Sequence, residues 1–340
     1  MRPSHDLRNW GAGGPLPPAL HPSDAGGGRG QLEGGHDTAV LRRLRWERRL
    51  NGGPAGTATN PELDLLVREI AELRPLPSIA LRVLEIAESE HFSAHELAQT
   101  ISSDPALTAK VLRLANSAYY GFPRRISTVR DAVVLLGFRA VRAATLAACV
   151  IDTIPRGDHV DDRPFWHFSI TVGMLAEVLS RATHTHADVA FTAGVLHNIG
   201  RLAMDQHRPR ALERAIALAK EGGVTVSQAE DALFGFTDAE VGGALALHWN
   251  FPVDLAEAVA QHQRRLEEIE DQQSLAAYVV RARDYARSHG LTDGVDVPAR
   301  MSPSREWVMA PLAPILAQGG GIDGIMQRAS VFIDQTIGSA

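Results

Sequence analysis

The chain of 340 residues is poor in several residue types, and each shortage excludes a class of protein. A single cysteine, Cys149, cannot form an internal disulfide, so a disulfide-stabilised secreted scaffold is excluded. No apolar run approaches the roughly 20 residues that a membrane-spanning helix needs, and the N-terminus has no apolar signal segment. Only two of the 34 basic residues are lysines, which we attribute to codon bias rather than to function. These absences predict a cytoplasmic protein.

The residues that are present favour a folded chain behind a separate N-terminal segment. Hydrophobic residues make up 45% of the chain and charged residues 22%, which is typical of a globular protein. Residues 1–60 hold 12 of the 30 glycines and 6 of the 19 prolines, and this composition predicts a flexible tail. The basic stretch at 38–50 is interpreted either as a helix that contacts an acidic partner or a membrane, or as a solvated helix.

Charge argues against nucleic acid as a partner. The net charge is −6, and residues 1–60 carry 8 arginines and 5 acidic residues, so that segment contributes +3 and the remainder −9. Five arginines between residues 124 and 142 surround a helix–glycine–helix pattern that resembles a DNA-binding motif. The second of these helices is too apolar to lie in a groove, but a DNA-binding regulator stays an open alternative.

From residue 61 onward the spacing of apolar residues predicts helices almost to the C-terminus, and no alternating pattern predicts a strand. Asp104 and Pro105 have the positions of a helix N-cap and first residue. Gly121, Gly137 and Gly200 are predicted to end helices. The proline- and charge-rich segment 155–164 predicts a boundary. We therefore predict an all-α fold with a tail at 1–60 and two packed helical parts at 61–155 and 156–340.

The strongest candidate for chemistry is the sequence LHNIGRL at residues 196–202. A histidine followed by an acid at the end of a helix is typical of a metal centre that hydrolyses phosphoesters. Here the second residue is Asn198, whose neutral amide cannot bridge two metals. The other histidines do not complete a ligand set, and His167 lies off the apolar stripe of its helix, which includes Phe168. Cys149 lies in an apolar helix and is predicted to be a core residue.

Four segments in this order resemble the HDOD domain (HD-related output domain) of bacterial signalling proteins. They are DPALTAKVLRLANSAYYG, ISTVRDAVVLLGFRAVR, GVLHNIGRL and DAEVGGALALHWNFP. The resemblance covers roughly residues 63–265 and implies an all-α fold related to metal-dependent HD phosphohydrolases. It also implies a domain that acts mainly in signalling or interaction rather than in catalysis.

The resemblance also marks the positions of a degenerate metal site. Active HD enzymes bind metal through a histidine, a His-Asp doublet and a later aspartate. By resemblance, the first histidine corresponds to Phe168 and the doublet to His197 and Asn198, while Asp238 and His262 occupy two further positions where the family often has histidine. We therefore expect no catalytic residue, no bound metal and no cofactor.

Other residues of the shared motifs are expected to have a structural or interaction role: Asp104, Pro105, Asn116, Tyr119 and Gly121. Asn116 is predicted to lie within a helix and to join the two helical parts through side-chain hydrogen bonds.

The sequence thus predicts a non-catalytic regulatory module that binds a signalling protein of unknown identity. The groove between the two helical parts is the expected contact surface. The alternatives are a weak metal-dependent phosphohydrolase acting on a nucleotide such as a cyclic dinucleotide, and the DNA-binding regulator. The sequence does not predict the oligomeric state.

Overall fold

The computed structural model describes residues 61–73, 76–88, 94–116, 125–153, 157–186, 189–296 and 302–336. Within these ranges the regular structure is α-helix with two short 3₁₀ helices, and no strand occurs. The prediction of an all-α fold is therefore confirmed. No helix of the described ranges is both long enough and apolar enough to cross a bilayer. Residues 1–60, with the basic stretch 38–50, lie outside the described residues.

The N-terminal helices are α1 (Pro61–Leu73), α2 (Ser78–Glu88), α3 (Ala94–Ser102), α4 (Pro105–Ala115), α5 (Val129–Leu136) and α6 (Phe138–Thr153). Asp104 caps α4 as predicted, because its Oδ1 accepts the backbone N–H of Leu107 at 3.0 Å. Gly137, with a φ of +88°, ends α5 and separates it from α6, also as predicted. Cys149 is buried in α6, and this burial raises the pKa of its thiol to about 12.

The remaining helices are α7 (Asp162–Thr183), α8 (Ala190–Leu196), α9 (Ile199–His207), α10 (Pro209–Gly222), α11 (Val226–Phe234), α12 (Asp238–His248), α13 (Val253–Gln261), α14 (Leu275–Ser288), α15 (Leu312–Gln318) and α16 (Gly321–Thr336). The 3₁₀ helices are Leu266–Glu268 and Arg305–Val308. Phe168 is buried in α7, but so are nearly all residues between Phe165 and Ser180, so this helix is buried on most sides and not only along the predicted stripe. His167 is half-buried, and its Nε2 lies 3.0 Å from the carbonyl oxygen of Met326 in α16.

The two sets of helices share one continuous apolar core. Helix α6 packs on α8, α1 packs on α12, and α16 packs on both α7 and α4. The segment that precedes α7 is fixed to α9, because the carboxylate of Asp205 accepts the backbone N–H groups of His159 at 3.1 Å and Val160 at 2.9 Å. The division of the chain between residues 155 and 156 stays a prediction.

Helices α9 and α12 approach each other closely at two glycines. A Cβ atom on Gly200 would lie 1.8 Å from the carbonyl oxygen of Asp238, and one on Gly242 would lie 3.0 Å from the backbone nitrogen of Gly200. Gly200 is in the first turn of α9, so the prediction that it ends a helix is wrong. Its role is to let the two backbones meet, which places the start of α12 beside α9.

Candidate functional site: a buried polar cluster

Two buried histidines lie at the centre of the second set of helices. His197 follows the last residue of α8, and His262 follows the last residue of α13. Each Nδ1 lies 2.6 Å from the carbonyl oxygen three residues earlier, that of Gly194 or of Val259. A carbonyl oxygen only accepts hydrogen bonds, so each Nδ1 carries the proton and each neutral ring has its lone pair on Nε2. Neither buried Nε2 has a hydrogen-bond partner among the described residues.

The ring of Phe168 completes this group of aromatic side chains. Its centroid lies 5.4 Å from that of His197, and the His197 centroid lies 4.9 Å from that of His262, with both pairs arranged edge to face. Burial is the main cause that lowers the pKa of both histidines well below the ordinary value. Both imidazoles are therefore neutral at neutral pH.

A buried network of charged groups lies beside the histidines and is centred on Arg201 in α9. Its side chain is 1% exposed, and its Nε donates to Oδ2 of Asp238 at 2.7 Å while its Nη1 donates to Asp293. Nδ2 of Asn198 also donates to Oδ2 of Asp293, at 2.8 Å. Burial alone would lower the pKa of Arg201, but the surrounding aspartates, Asp238 first, outweigh burial and raise it.

The aspartates of this network are themselves held in place by the backbone and by polar neighbours. Oδ1 of Asp293 accepts the backbone N–H of Asp296 at 2.9 Å, and Oδ1 of Asp238 accepts Nε2 of Gln263 at 2.6 Å. The backbone N–H of Asp238 donates to Oε2 of Glu230 at 2.9 Å. Burial, and secondarily the negative charge of Asp238, raise the pKa of Glu230 well above its ordinary range, so this carboxyl is neutral.

The five positions of the degenerate metal site are thus brought together in space. Phe168, His197 and His262 form the aromatic group, whereas Asn198 and Asp238 belong to the charged network.

The motif residues of the N-terminal helices are not part of this cluster. Asp104 and Pro105 begin α4, and Tyr119 and Gly121 lie outside the described residues. Asn116 follows α4, and its Nδ2 donates to the carbonyl oxygen of Ile126 at 2.7 Å while its Oδ1 accepts the N–H of Ile126 at 2.7 Å. It joins α4 to the segment before α5, so the prediction that it joins the two parts is wrong.

The residues at the cluster do not fit the metal centre of an HD phosphohydrolase. A phenyl ring at 168 has no donor atom, and Asn198 has an uncharged amide, whose nitrogen donates to Asp293, in place of a carboxylate. Only two Nε2 atoms remain as possible ligands, whereas catalytic metal sites commonly use three protein ligands. Within the described ranges, no group of three or more histidine, cysteine, aspartate or glutamate side chains is arranged to hold a metal.

Sequence reasoning missed the residues that hold this cluster together: Arg201, Glu230, Gln263, Asp293 and Asp296. Arg201 had a signal, because it is a charged residue in the second half of the LHNIGRL motif and lies three residues after Asn198. The two aspartates lie in the loop after α14, where no periodicity indicates burial.

Comparison with known proteins identifies the family. The model of the HDOD domain matches residues 73–265, which is more than half of the chain. The chain belongs to the HDOD family. The HDOD match begins at the last residue of α1 and ends just after His262, so it includes all five positions of the degenerate metal site.

Solved structures of HDOD-like proteins share this fold. An HDOD domain protein of unknown function from Geobacter sulfurreducens is 26% identical, with a TM-score of 0.66 over 80% of this chain and 97% of that chain. A protein from Shewanella amazonensis SB2B, provisionally named a phosphohydrolase, is also 26% identical, with a TM-score of 0.62 over the same shares of the two chains.

A curated relative has only part of its length in common with this HDOD protein. It is an uncharacterised protein from Treponema pallidum (strain Nichols), 25% identical over 195 residues. The aligned region covers 57% of this chain but spans only 38% of the relative's length.

Proposed function

We propose that this HDOD protein is a non-catalytic regulatory module that acts by binding a signalling partner. The observation that carries the proposal is the hydrogen bond that Asn198 makes to Asp293. An acid there would be a metal ligand by resemblance to HD enzymes, whereas the Asn198 amide donates to Asp293 inside the buried charged network centred on Arg201. A phenyl ring at position 168 removes a second ligand. What remains is a polar core that fixes helix positions rather than a centre for hydrolysis.

The second candidate is a metal-dependent phosphohydrolase, and one observation favours it. The unpartnered Nε2 atoms of His197 and His262 are buried lone pairs of the kind that bind a transition metal. The provisional name of the Shewanella relative points the same way.

Metal content and hydrolysis separate these two functions. Purified without chelators and then incubated with Mn²⁺ or Fe²⁺, the wild-type chain is expected to hold substoichiometric metal and to leave a cyclic dinucleotide intact. The matched variant Phe168→His/Asn198→Asp supplies an imidazole and a carboxylate, and it is expected to retain more metal by elemental analysis. Stoichiometric metal in the wild type, with hydrolysis abolished by His197→Ala, would show that the chain is an enzyme.

The third candidate, a DNA-binding regulator, is weakened by the position of its arginines. Arg142 is buried in α6, while Arg125 and Arg130 are exposed. DNA binding through phosphate contacts would depend steeply on salt concentration. A mobility shift with duplex DNA at low salt that disappears in Arg125→Gln/Arg130→Gln would revive this candidate.

The partner itself is sought by affinity capture with the full chain and with a chain that lacks residues 1–60. We propose the groove between the two sets of helices as the contact surface. A captured protein counts as the partner only if its purified form binds the purified full chain. Failure of every captured protein to bind in this way would contradict regulation through a protein partner.

A further inference from the structure

Helix α5 has an apolar outer face that the described fold leaves in water. Its inner side is buried through Val129, Ala132 and Val133, and the helix packs on α3, α4 and α6, all of the N-terminal set. On the outer side, Val134 is 74% exposed and Leu135 is 50% exposed. Adjacent exposed apolar side chains mark interaction sites more often than scattered ones do.

The two charged residues of α5 lie on this same outer face. Arg130 precedes Val134 by one turn and Asp131 precedes Leu135 by one turn, so the four side chains form two adjacent rows. Oδ2 of Asp131 accepts the hydroxyl of Thr128 at 2.7 Å, at the helix N-terminus, where a carboxylate is favourable. Arg130 is exposed and makes no ion pair with a described residue.

The helices around α5 form a basic region of an acidic molecule. Residues 94–153, which include α3 to α6, hold seven lysines and arginines and four acidic residues, a net charge of +3. The whole chain carries −6 and residues 1–60 contribute +3, so the rest of the chain carries −12. A surface of one sign within a molecule of the other sign orients a charged partner toward itself.

The acids of this region are already engaged, whereas two exposed arginines are not. The four acids have these partners: Arg82 for Glu96, the first turn of α4 for Asp104, Thr128 for Asp131 and Lys110 for Asp152. Arg130 and Arg125, which lies in the segment before α5, are exposed and make no ion pair with a described residue. Carboxylates of a partner can therefore pair with them without the loss of an existing contact.

Charge and apolarity together select the kind of partner. The chain's own segment 38–50 holds five arginines, and a second copy would present the same basic surface, so both meet repulsion at this face. Nucleic acid fits the charge, but its interfaces are strongly polar, and Val134 and Leu135 would gain nothing against phosphate. A protein helix with one apolar row and flanking carboxylates matches both features.

We propose that the outer face of α5 binds an acidic amphipathic helix of a partner protein. The apolar row of that helix covers Val134 and Leu135, and its carboxylates pair with Arg130 and Arg125. The inference rests on the proposed function, which is partner binding, and it adds a surface on the N-terminal set to the groove between the two sets.

The test is the fluorescence anisotropy of a labelled synthetic peptide titrated with the full chain at low ionic strength. The peptide has leucines along one helical face with glutamates and alanines elsewhere, and it is about 20 residues long so that it forms a helix. We expect saturable binding that Val134→Ser/Leu135→Ser and Arg125→Gln/Arg130→Gln each weaken about tenfold, or about 1.4 kcal/mol.

The matched control is Val253→Ser, which removes a valine of α13 that is 56% exposed and lies beside the exposed Asp254. This variant is expected to bind the peptide as the wild type does. All the substituted side chains are exposed, so circular dichroism is expected to show the same helix content in every variant.

Several results would overturn the proposal. They are no saturable binding of the peptide to the wild type, unchanged affinity in either double variant, and equal affinity for a peptide with lysine in place of glutamate. Duplex DNA that displaces the peptide would make the face a nucleic-acid surface. A dimer in sedimentation velocity that Val134→Ser/Leu135→Ser dissociates would make it a contact between copies of this chain.

The captured partner separates this inference from the proposed function. A captured protein that binds the purified chain and also binds both double variants equally would remove α5 from the interaction, while regulation through a protein partner would stand. Peptide binding at α5 together with the failure of every captured protein would contradict the regulatory function and leave the surface as described.

Discussion

The two sets of helices bury different kinds of side chain. Among the described side chains of α1 to α6 the buried polar residues are Arg142, Thr145 and Thr153, and both threonine hydroxyls donate to carbonyls of their own helix. In the helices from α7 onward, a guanidinium group, carboxyl groups and two imidazoles are buried together around Arg201. The first core is apolar and the second encloses a polar interior.

The buried charges of the second core are not explained by their contribution to stability. Taking charges out of water costs several kcal/mol per ion, and a buried ion pair stabilises a fold no more, and often less, than apolar residues of the same volume. Stability alone therefore does not account for the network around Arg201. The network includes Asn198 and Asp238, two of the positions that the resemblance to HD enzymes marks.

The largest effect on the difference between the two cores is expected from removing the charge of Arg201. Arg201→Met leaves Asp238 and Asp293 buried without their partner, so we expect the free energy of unfolding to fall by about 3–5 kcal/mol. Denaturant unfolding followed by circular dichroism measures this change. Arg163→Gln is the control, since it breaks an exposed pair with Asp334 and is expected to cost less than about 1 kcal/mol. An equal change in the free energy of unfolding in the two variants would mean that the aspartates of the network do not depend on the charge of Arg201.

A second way to sharpen the comparison uses pH. The pKa of His262 is lowered in the fold, so below the ordinary value near 6.5 the unfolded chain takes up a proton that the folded chain does not. The contribution of neutral His262 to the free energy of unfolding is therefore complete above that pH and is lost as the pH falls below it. His262→Asn keeps a donor for the Val259 carbonyl but cannot titrate.

We expect the stability difference between pH 7.5 and pH 5.5 to shrink by about 1.4 kcal/mol in His262→Asn relative to the wild type. Glu230, whose pKa is raised, opposes this trend in both proteins and cancels in the comparison. Denaturant titrations at the two pH values measure the difference. Parallel pH profiles for the two proteins would contradict a neutral buried His262.

The smallest expected effect belongs to the apolar part. Asn116→Ala removes the side chain that pairs with both backbone groups of Ile126, and Asn116 is exposed. We expect a loss of about 1 kcal/mol in unfolding free energy, because water replaces part of each hydrogen bond. Thermal unfolding measures it, with Arg130→Gln as a surface control. A loss as large as that of Arg201→Met would erase the distinction between the two parts.

Local sequence signals were sufficient to predict the all-α fold class and several helix ends. Asp104, Pro105 and Gly137 mark helix ends through capping and backbone geometry that involve only near neighbours in the chain. The burial of Phe168 in α7 also follows from helical spacing, although spacing did not indicate that α7 is buried on most of its sides.

The candidate site was predictable only in part. Resemblance marked the degenerate positions such as Phe168 and His197, but not their neighbours. Asp293 lies 92 residues from Arg201 in the chain, and a loop residue at that separation leaves no periodic signal. Asn116 was misplaced because an asparagine does not indicate which distant carbonyl its amide will meet, and Gly200 was misread because a glycine that ends a helix and one that admits a neighbouring backbone look alike.

Because helices α9 and α12 meet at Gly200, the ion pair between Arg201 and Asp238 depends on the absence of a side chain at position 200. A methyl group at position 200 would collide with the carbonyl of Asp238, the residue whose carboxylate Arg201 grips. Gly200→Ala would thus move α12 away from α9 and separate Asp238 from Arg201, without altering either side chain. A set of variants restricted to charged and polar residues would therefore miss Gly200→Ala, which disrupts this ion pair through the backbone.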